Sequence, residues 1–172
     1  KKLFRIHTHT GIVDVTEDHS LVLANGMEAK PSDVTIGCEL LHHDVDSIEE
    51  KECSITEDAA YHMGLFTQFG IKPFMNDGSL NTYQYRDLFF NDHYERRIPD
   101  TILSAPLPIV KAFWKGLCHG HTTDTTSFTL TYKGKECGAG VYLIAKRLGY
   151  VVYIYERKDD IFEYTISKEC DQ

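Results

Sequence analysis

The chain has 172 residues, a length that suits one domain or two small ones and can bury a real core. With 42% apolar and 12% aromatic residues and no polar low-complexity tract, it has enough apolar surface to offset its ordering entropy, which excludes a disordered chain. Asp and Glu outnumber Lys and Arg by 26 to 18, and the net charge of −8 argues against tight phosphate-backbone binding, leaving room only for a local basic strip.

Residues 3–9 and 12–16 are short runs rich in β-branched and aromatic side chains, separated by Thr10 and Gly11, which predicts a β-hairpin. A third strand, "LVLANG", follows the turn "TEDHS". "KPSDV" reads as a turn or the start of a short helix, with Ser32 or Asp33 able to cap it, and leads into "IGCELL". This first block, residues 1–44, is all-β in character. Residues 45–56 are acidic and lack sustained apolar periodicity, so they read as a linker.

From residue 57 the period becomes helical. "EDAAYHMGLFTQFG" opens on acids and ends at Gly70, and "LPIVKAFWKGLCHGH" is entered through Pro106 and Pro108. "ECGAGVYLIAKRLG" ends at Gly149 beside Lys146 and Arg147, whose charges suit a helix C-terminus. Strands are predicted at "SFTLTYKG", "YVVYIYER" and "IFEYTIS". The second block, residues 57–172, is therefore α+β, with no strand–helix alternation of the parallel-sheet kind and no solenoid period.

Thr16 and His19 lie three residues apart in the turn after a strand, a spacing that lets both side chains face one pocket. Histidine exchanges protons near neutrality, and a neighbouring hydroxyl can orient an amide or carbonyl. Pattern alone favours an ordinary turn in which Asp18 caps. His7, His9, His19, His42 and His43 are a weak metal-ligand set: residues 7 and 9 share a strand face, but no acidic or cysteine partner falls at ligand spacing, so no metal or cofactor is expected. Ala60 with Gly64, and Ala112 with Gly116 and Gly120, give two helices a stripe of small side chains that would let their backbones approach.

The five cysteines, Cys38, Cys53, Cys118, Cys137 and Cys170, are odd in number and without C-x-x-C spacing. They read as reduced thiols of a cytoplasmic or nuclear protein, and neither as a disulfide scaffold nor as a zinc site. No run of about 18 apolar residues suggests a membrane span, and "KKLFRIHTHT" lacks the apolar centre of a signal peptide. The first residues already belong to a strand-like run without a Met, as in a piece of a longer polypeptide.

Together these stretches resemble an intein, a self-excising protein-splicing element. "GIVDVTEDHSLVL" is similar to the family's second conserved block, in which a Thr-x-x-His turn sits in an all-β Hedgehog/intein-type (Hint) domain, and "KPSDVTIGCELL" continues in the same manner. "AYHMGLFTQFG" and "IVKAFWKGLCHGHT" resemble the paired motif helices of LAGLIDADG homing endonucleases nested in such elements. "RRIPDTILSAPLPIVKAFWKGL" and "GAGVYLIAKRLGYVVYIYERKDDIFEYTIS" are similar to inteins of family B DNA polymerases, including those of large DNA viruses and archaea. The likeness covers nearly the whole chain, with the blocks in the family's order.

The resemblance implies a Hint splicing portion over 1–44, a linker over 45–56 and a LAGLIDADG-like domain over 57–172. By position His19 would be the splicing histidine that protonates the departing amide nitrogen, and Thr16 would contact the same backbone. The partners implied are the flanking extein segments of a host protein, or complementary intein pieces. The family's attacking Cys or Ser and its terminal His-Asn pair have no counterpart at Lys1 or in "KECDQ", and Cys170 does not replace them. In the nuclease motif each helix ends in a metal-holding acid; aligning Gly64-Leu65 and Gly116-Leu117 to it places Phe69 and His121 there, with Asp77 and Asp124 beyond the helix ends. The expectation is a splicing element whose endonuclease has lost cutting and whose DNA binding is weak. The alternative is a sequence-specific DNA-binding or active homing-endonuclease domain.

Overall fold

The computed structural model describes residues 1–8, 11–41, 48–70, 88–92, 94–121 and 127–168. The chain divides into two compact units, Lys1–Asp46 and Ser47–Gln172.

In the first unit β1 (Leu3–His7) and β2 (Ile12–Thr16) form an antiparallel hairpin, with Leu3 opposite Thr16 and His7 opposite Ile12. Thr8 closes it by donating both its backbone N–H (2.8 Å) and its hydroxyl (3.0 Å) to the Gly11 carbonyl, so the first strand stops at His7. The predicted run to residue 9 ends outside the described residues. β3 (Leu21–Val22) pairs antiparallel with β4 (Glu28–Ala29). The strand expected over "LVLANG" is cut to two residues because Asn25 folds back. Its Oδ1 accepts the Met27 N–H at 2.9 Å, and Gly26 takes φ +82° in the turn. "IGCELL" contributes a single bridge, Leu40 to Leu23, and "KPSDV" is a turn in which the Asp33 N–H donates to the Lys30 carbonyl at 2.9 Å. The buried apolar side chains here are few, Val15 and Leu21 among them.

The second unit is built on α1 (Glu57–Phe69), α2 (Asp100–Leu103), α3 (Leu107–Leu117) and α4 (Glu136–Arg147). Thr56 caps α1 by accepting the Ala59 N–H at 3.2 Å, Glu57 and Asp58 meet the positive end of its dipole, and Gly70 ends it at φ +77°. The proline at position 108 falls in the first turn of α3, where no N–H is needed. That helix ends at Leu117, short of the predicted run to His121, because the chain turns through Gly120 at φ +89°. α2 went unforeseen in the sequence; four residues carry too little periodicity to show.

β5 (Ser127–Lys133), β6 (Tyr150–Glu156) and β7 (Ile161–Lys168) form an antiparallel sheet in the order β5-β7-β6. The central strand alternates strictly, burying Phe162, Tyr164 and Ile166. α4 lies on that buried face so closely that a Cβ on Gly138 would sit 1.8 Å from the Tyr164 ring. Trp114 joins α3 to the sheet, its ring 5.3 Å from that of Tyr150 and 6.2 Å from that of Phe128.

The tightest contact is between α1 and α3. A Cβ on Gly64 would lie 2.1 Å from the Phe113 carbonyl oxygen and 2.6 Å from the Leu117 nitrogen, and one on Gly116 would lie 1.9 Å from the Tyr61 carbonyl oxygen and 3.0 Å from the Leu65 nitrogen. Each glycine therefore rests on the backbone three residues before and one residue after the other, a local two-fold relation. Glu57 and Asp58 of α1 share a cleft with Leu107 and Pro108 of α3, so the helices run in the same direction. Ala60, Met63, Phe66, Val110, Phe113 and Leu117 are buried around this seam.

Of the acidic stretch 45–56, the described residues are held on the second unit. The Lys51 N–H donates to the Ser104 carbonyl at 2.8 Å. Arg147, at the end of α4, donates to the Leu103 carbonyl at 2.6 Å and the Ala105 carbonyl at 3.1 Å, and reaches Glu50 at 3.3 Å. One guanidinium thus gathers the α2–α3 turn, α4 and the entering chain.

A methyl group at Gly116 would strike the Tyr61 carbonyl, whereas one at Gly120 meets open space and bears only the strain of a positive φ. In urea titrations followed by Trp114 fluorescence, Gly120→Ala should cost about 1–2 kcal/mol and Gly116→Ala roughly 3 kcal/mol or more. Equal losses would contradict the backbone contact. The thiols also separate by environment. Burial pushes Cys118 and Cys137 up to about 12, while the Thr35 N–H (3.4 Å) and hydroxyl (3.6 Å) hold exposed Cys38 below the ordinary thiol range. Iodoacetamide at pH 8 should modify Cys38 at least about tenfold faster than Cys118 or Cys137 in the native protein. Matching rates before unfolding would show that the two are not buried.

Candidate functional site

The Thr16–His19 stretch is a β-turn. The His19 N–H donates to the Thr16 carbonyl at 3.0 Å, and the Glu17 N–H to the Lys2 carbonyl at 3.1 Å, so the turn is closed at its base and stitched to the start of the hairpin. Three-residue spacing is what such a turn requires, and it brings the first and fourth Cα within about 7 Å. Thr16 ends β2 half-buried; His19 is exposed, and its imidazole makes no hydrogen bond among the described residues.

Asp18 organises the turn. The Thr16 hydroxyl donates to Asp18 Oδ1 at 2.5 Å, and Lys1 Nζ lies 2.8 Å from Oδ2. Lys1 above all, then the Thr16 hydroxyl, holds the Asp18 carboxyl below the usual carboxylate range, with the nearby His19 adding a smaller effect. The result is an exposed imidazole at one end of the turn and, at the other, a hydroxyl whose proton is committed to a carboxylate. Such a pair can give a proton from the ring and accept one hydrogen bond at the hydroxyl oxygen.

At the far end of the α1–α3 pair, Phe69 closes α1 with its ring half-exposed and carries no atom able to bind a metal. The residue it meets is His119, at 6.3 Å between ring centres, and His119 Nδ1 lies 2.9 Å from the Tyr61 hydroxyl. His121 instead stacks on Phe128 at 5.0 Å. The two residues aligned with the nuclease acids thus have different neighbours. Asp77, Asp124 and Cys170 lie outside the described residues, as do His9, His42 and His43 of the histidine set. Among the described residues no group of three or more His, Cys, Asp or Glu side chains is arranged to hold a metal ion, and no helix is long and apolar enough to cross a membrane.

In the sequence Asp18 shows only as a cap for the turn. Its place two residues after a threonine in a tight turn was the available signal. His119 went unremarked because its partner Tyr61 is 58 residues away in the chain, which no local pattern reveals.

No protein-family model matches the chain. Over 87 residues, 51% of its length, the chain is 42% identical to a DNA polymerase of Acanthamoeba polyphaga mimivirus, and it spans about 4% of that much longer relative.

Proposed function

We propose that this chain is part of an intein, with a Hint-type splicing portion followed by a LAGLIDADG-like domain that no longer cuts DNA, carried within a DNA polymerase. The observation that carries the reading is the closed turn with Thr16 and His19 at its two ends, the Thr16 hydroxyl bound to Asp18 and the His19 side chain exposed. A likeness at 42% identity confined to 4% of a polymerase supports an inserted element. The same-direction, two-fold contact of α1 and α3 supports a pair of motif helices.

In this reading a Cys or Ser at the upstream junction attacks the carbonyl carbon of the scissile peptide, giving up its thiol or hydroxyl proton to water, and forms a thioester or ester. The amide nitrogen leaves with a proton supplied by His19, since an unprotonated amide nitrogen is a very poor leaving group. Thr16 holds the same peptide. The partners are the flanking segments of the host protein. DNA cleavage is lost because Phe69 offers no oxygen to a divalent cation and His121 is turned against Phe128.

A second reading is a DNA-binding module. The outward sheet face carries exposed Thr129, Thr131, Lys133, Tyr153 and Tyr155, groups suited to contacting a duplex.

The test of splicing uses a polypeptide carrying this segment between both junctions. His19→Ala should slow cleavage at the upstream junction by about 100-fold or more, read by gel after hydroxylamine trapping; a parental rate would refute the assignment. For the second domain, DNA bearing the uninterrupted insertion site should remain intact with magnesium, and any mobility shift should vanish steeply with salt. Site-specific nicking would overturn the loss of cutting.

A further inference from the structure

We infer that Asp18 is a positioning residue that takes the only proton of the Thr16 hydroxyl, so that Thr16 meets the scissile peptide as a hydrogen-bond acceptor; this rests on the splicing role proposed for the same turn. A threonine hydroxyl has one proton and two lone pairs, and left to rotate it can meet a peptide either through its N–H or through its C=O. Here the choice is made in advance. The proton goes to Asp18 Oδ1 at 2.5 Å, a short contact to a charged acceptor.

The carboxylate is itself held. Lys1 Nζ occupies Oδ2 at 2.8 Å, so rotating Asp18 away from Thr16 would also break an ion pair. The backbone on either side is closed by the His19-to-Thr16 and Glu17-to-Lys2 hydrogen bonds, which leaves the two side chains facing one another across Glu17.

The consequence is a division of labour at one peptide group. Thr16 Oγ1 accepts the N–H of the scissile amide and fixes its plane. The His19 imidazolium delivers a proton to that nitrogen as the C–N bond breaks and is left neutral. Asp18 touches neither the peptide nor the junction nucleophile and acts only through Thr16.

The experiment measures single-turnover cleavage at the upstream junction, trapped with hydroxylamine, in the polypeptide that carries both junctions. Asp18→Ala should slow it about tenfold, the worth of one good hydrogen bond. Asp18→Asn keeps an oxygen that accepts the Thr16 proton and should recover most of the rate, with circular dichroism melts of both variants confirming a folded turn. Thr16→Ala combined with Asp18→Ala should be no slower than Thr16→Ala alone. A parental rate for Asp18→Ala beside a slow His19→Ala overturns the inference, as does an equal slowing by Asp18→Ala in the Thr16→Ala background. Failure of the splicing reading looks different, since Thr16→Ala and His19→Ala would then both cleave at the parental rate.

Discussion

The contact between the α1 and α3 backbones at Gly64 and Gly116 is the constraint on which the second unit depends. Carbonyl oxygens sit where a Cβ would otherwise be, so no other residue fits at either position. Such an approach brings the flanking side chains, Ala60 and Met63 on one helix and Phe113 and Leu117 on the other, into one buried seam. Because each glycine rests on the same two positions relative to its counterpart, the interface is nearly symmetric although the two helix sequences are not. The symmetry resides in backbone and small residues, and the ends of the helices are free to diverge.

They do diverge. At one end Phe69 and His119 form an aromatic contact backed by the Tyr61 hydroxyl; His121 leaves the pair altogether for Phe128 and, through it, the Trp114 cluster on the sheet. Rings at these places add packing and offer no carboxylate oxygen to a hard divalent cation. A helix pair built for close approach can therefore hold its seam while its ends carry unlike side chains. Arg147 ties α4 to the start of α3, using two carbonyls at the α2–α3 turn and the Glu50 carboxylate.

The first unit works on a smaller scale. It has little apolar core, and its turn is held by polar contacts, with Asp18 between Lys1 and Thr16. The backbone of the turn is closed, the Thr16 hydroxyl is oriented and the His19 side chain is exposed. A deeply buried histidine would pay desolvation in its charged form and lose proton-exchange capacity near neutrality.

Much of the local structure was legible in residue types. Alternation marked β5, β6 and β7, helical periodicity with acids, prolines and glycines at the ends marked α1, α3 and α4, and Thr10-Gly11 marked the first hairpin. The glycine spacing also hinted that two helices approach closely. These features follow from backbone sterics and hydrophobic period, which act over a few residues. The order β5-β7-β6, the same-direction helix pair, the role of Arg147, the pairing of Tyr61 with His119 and the hold of Asp18 on Thr16 were not legible. The first four depend on groups brought together by packing, and the residues flanking them carry no trace of the partner; the last is local, hinted at by the two-residue spacing but decided by side-chain rotation.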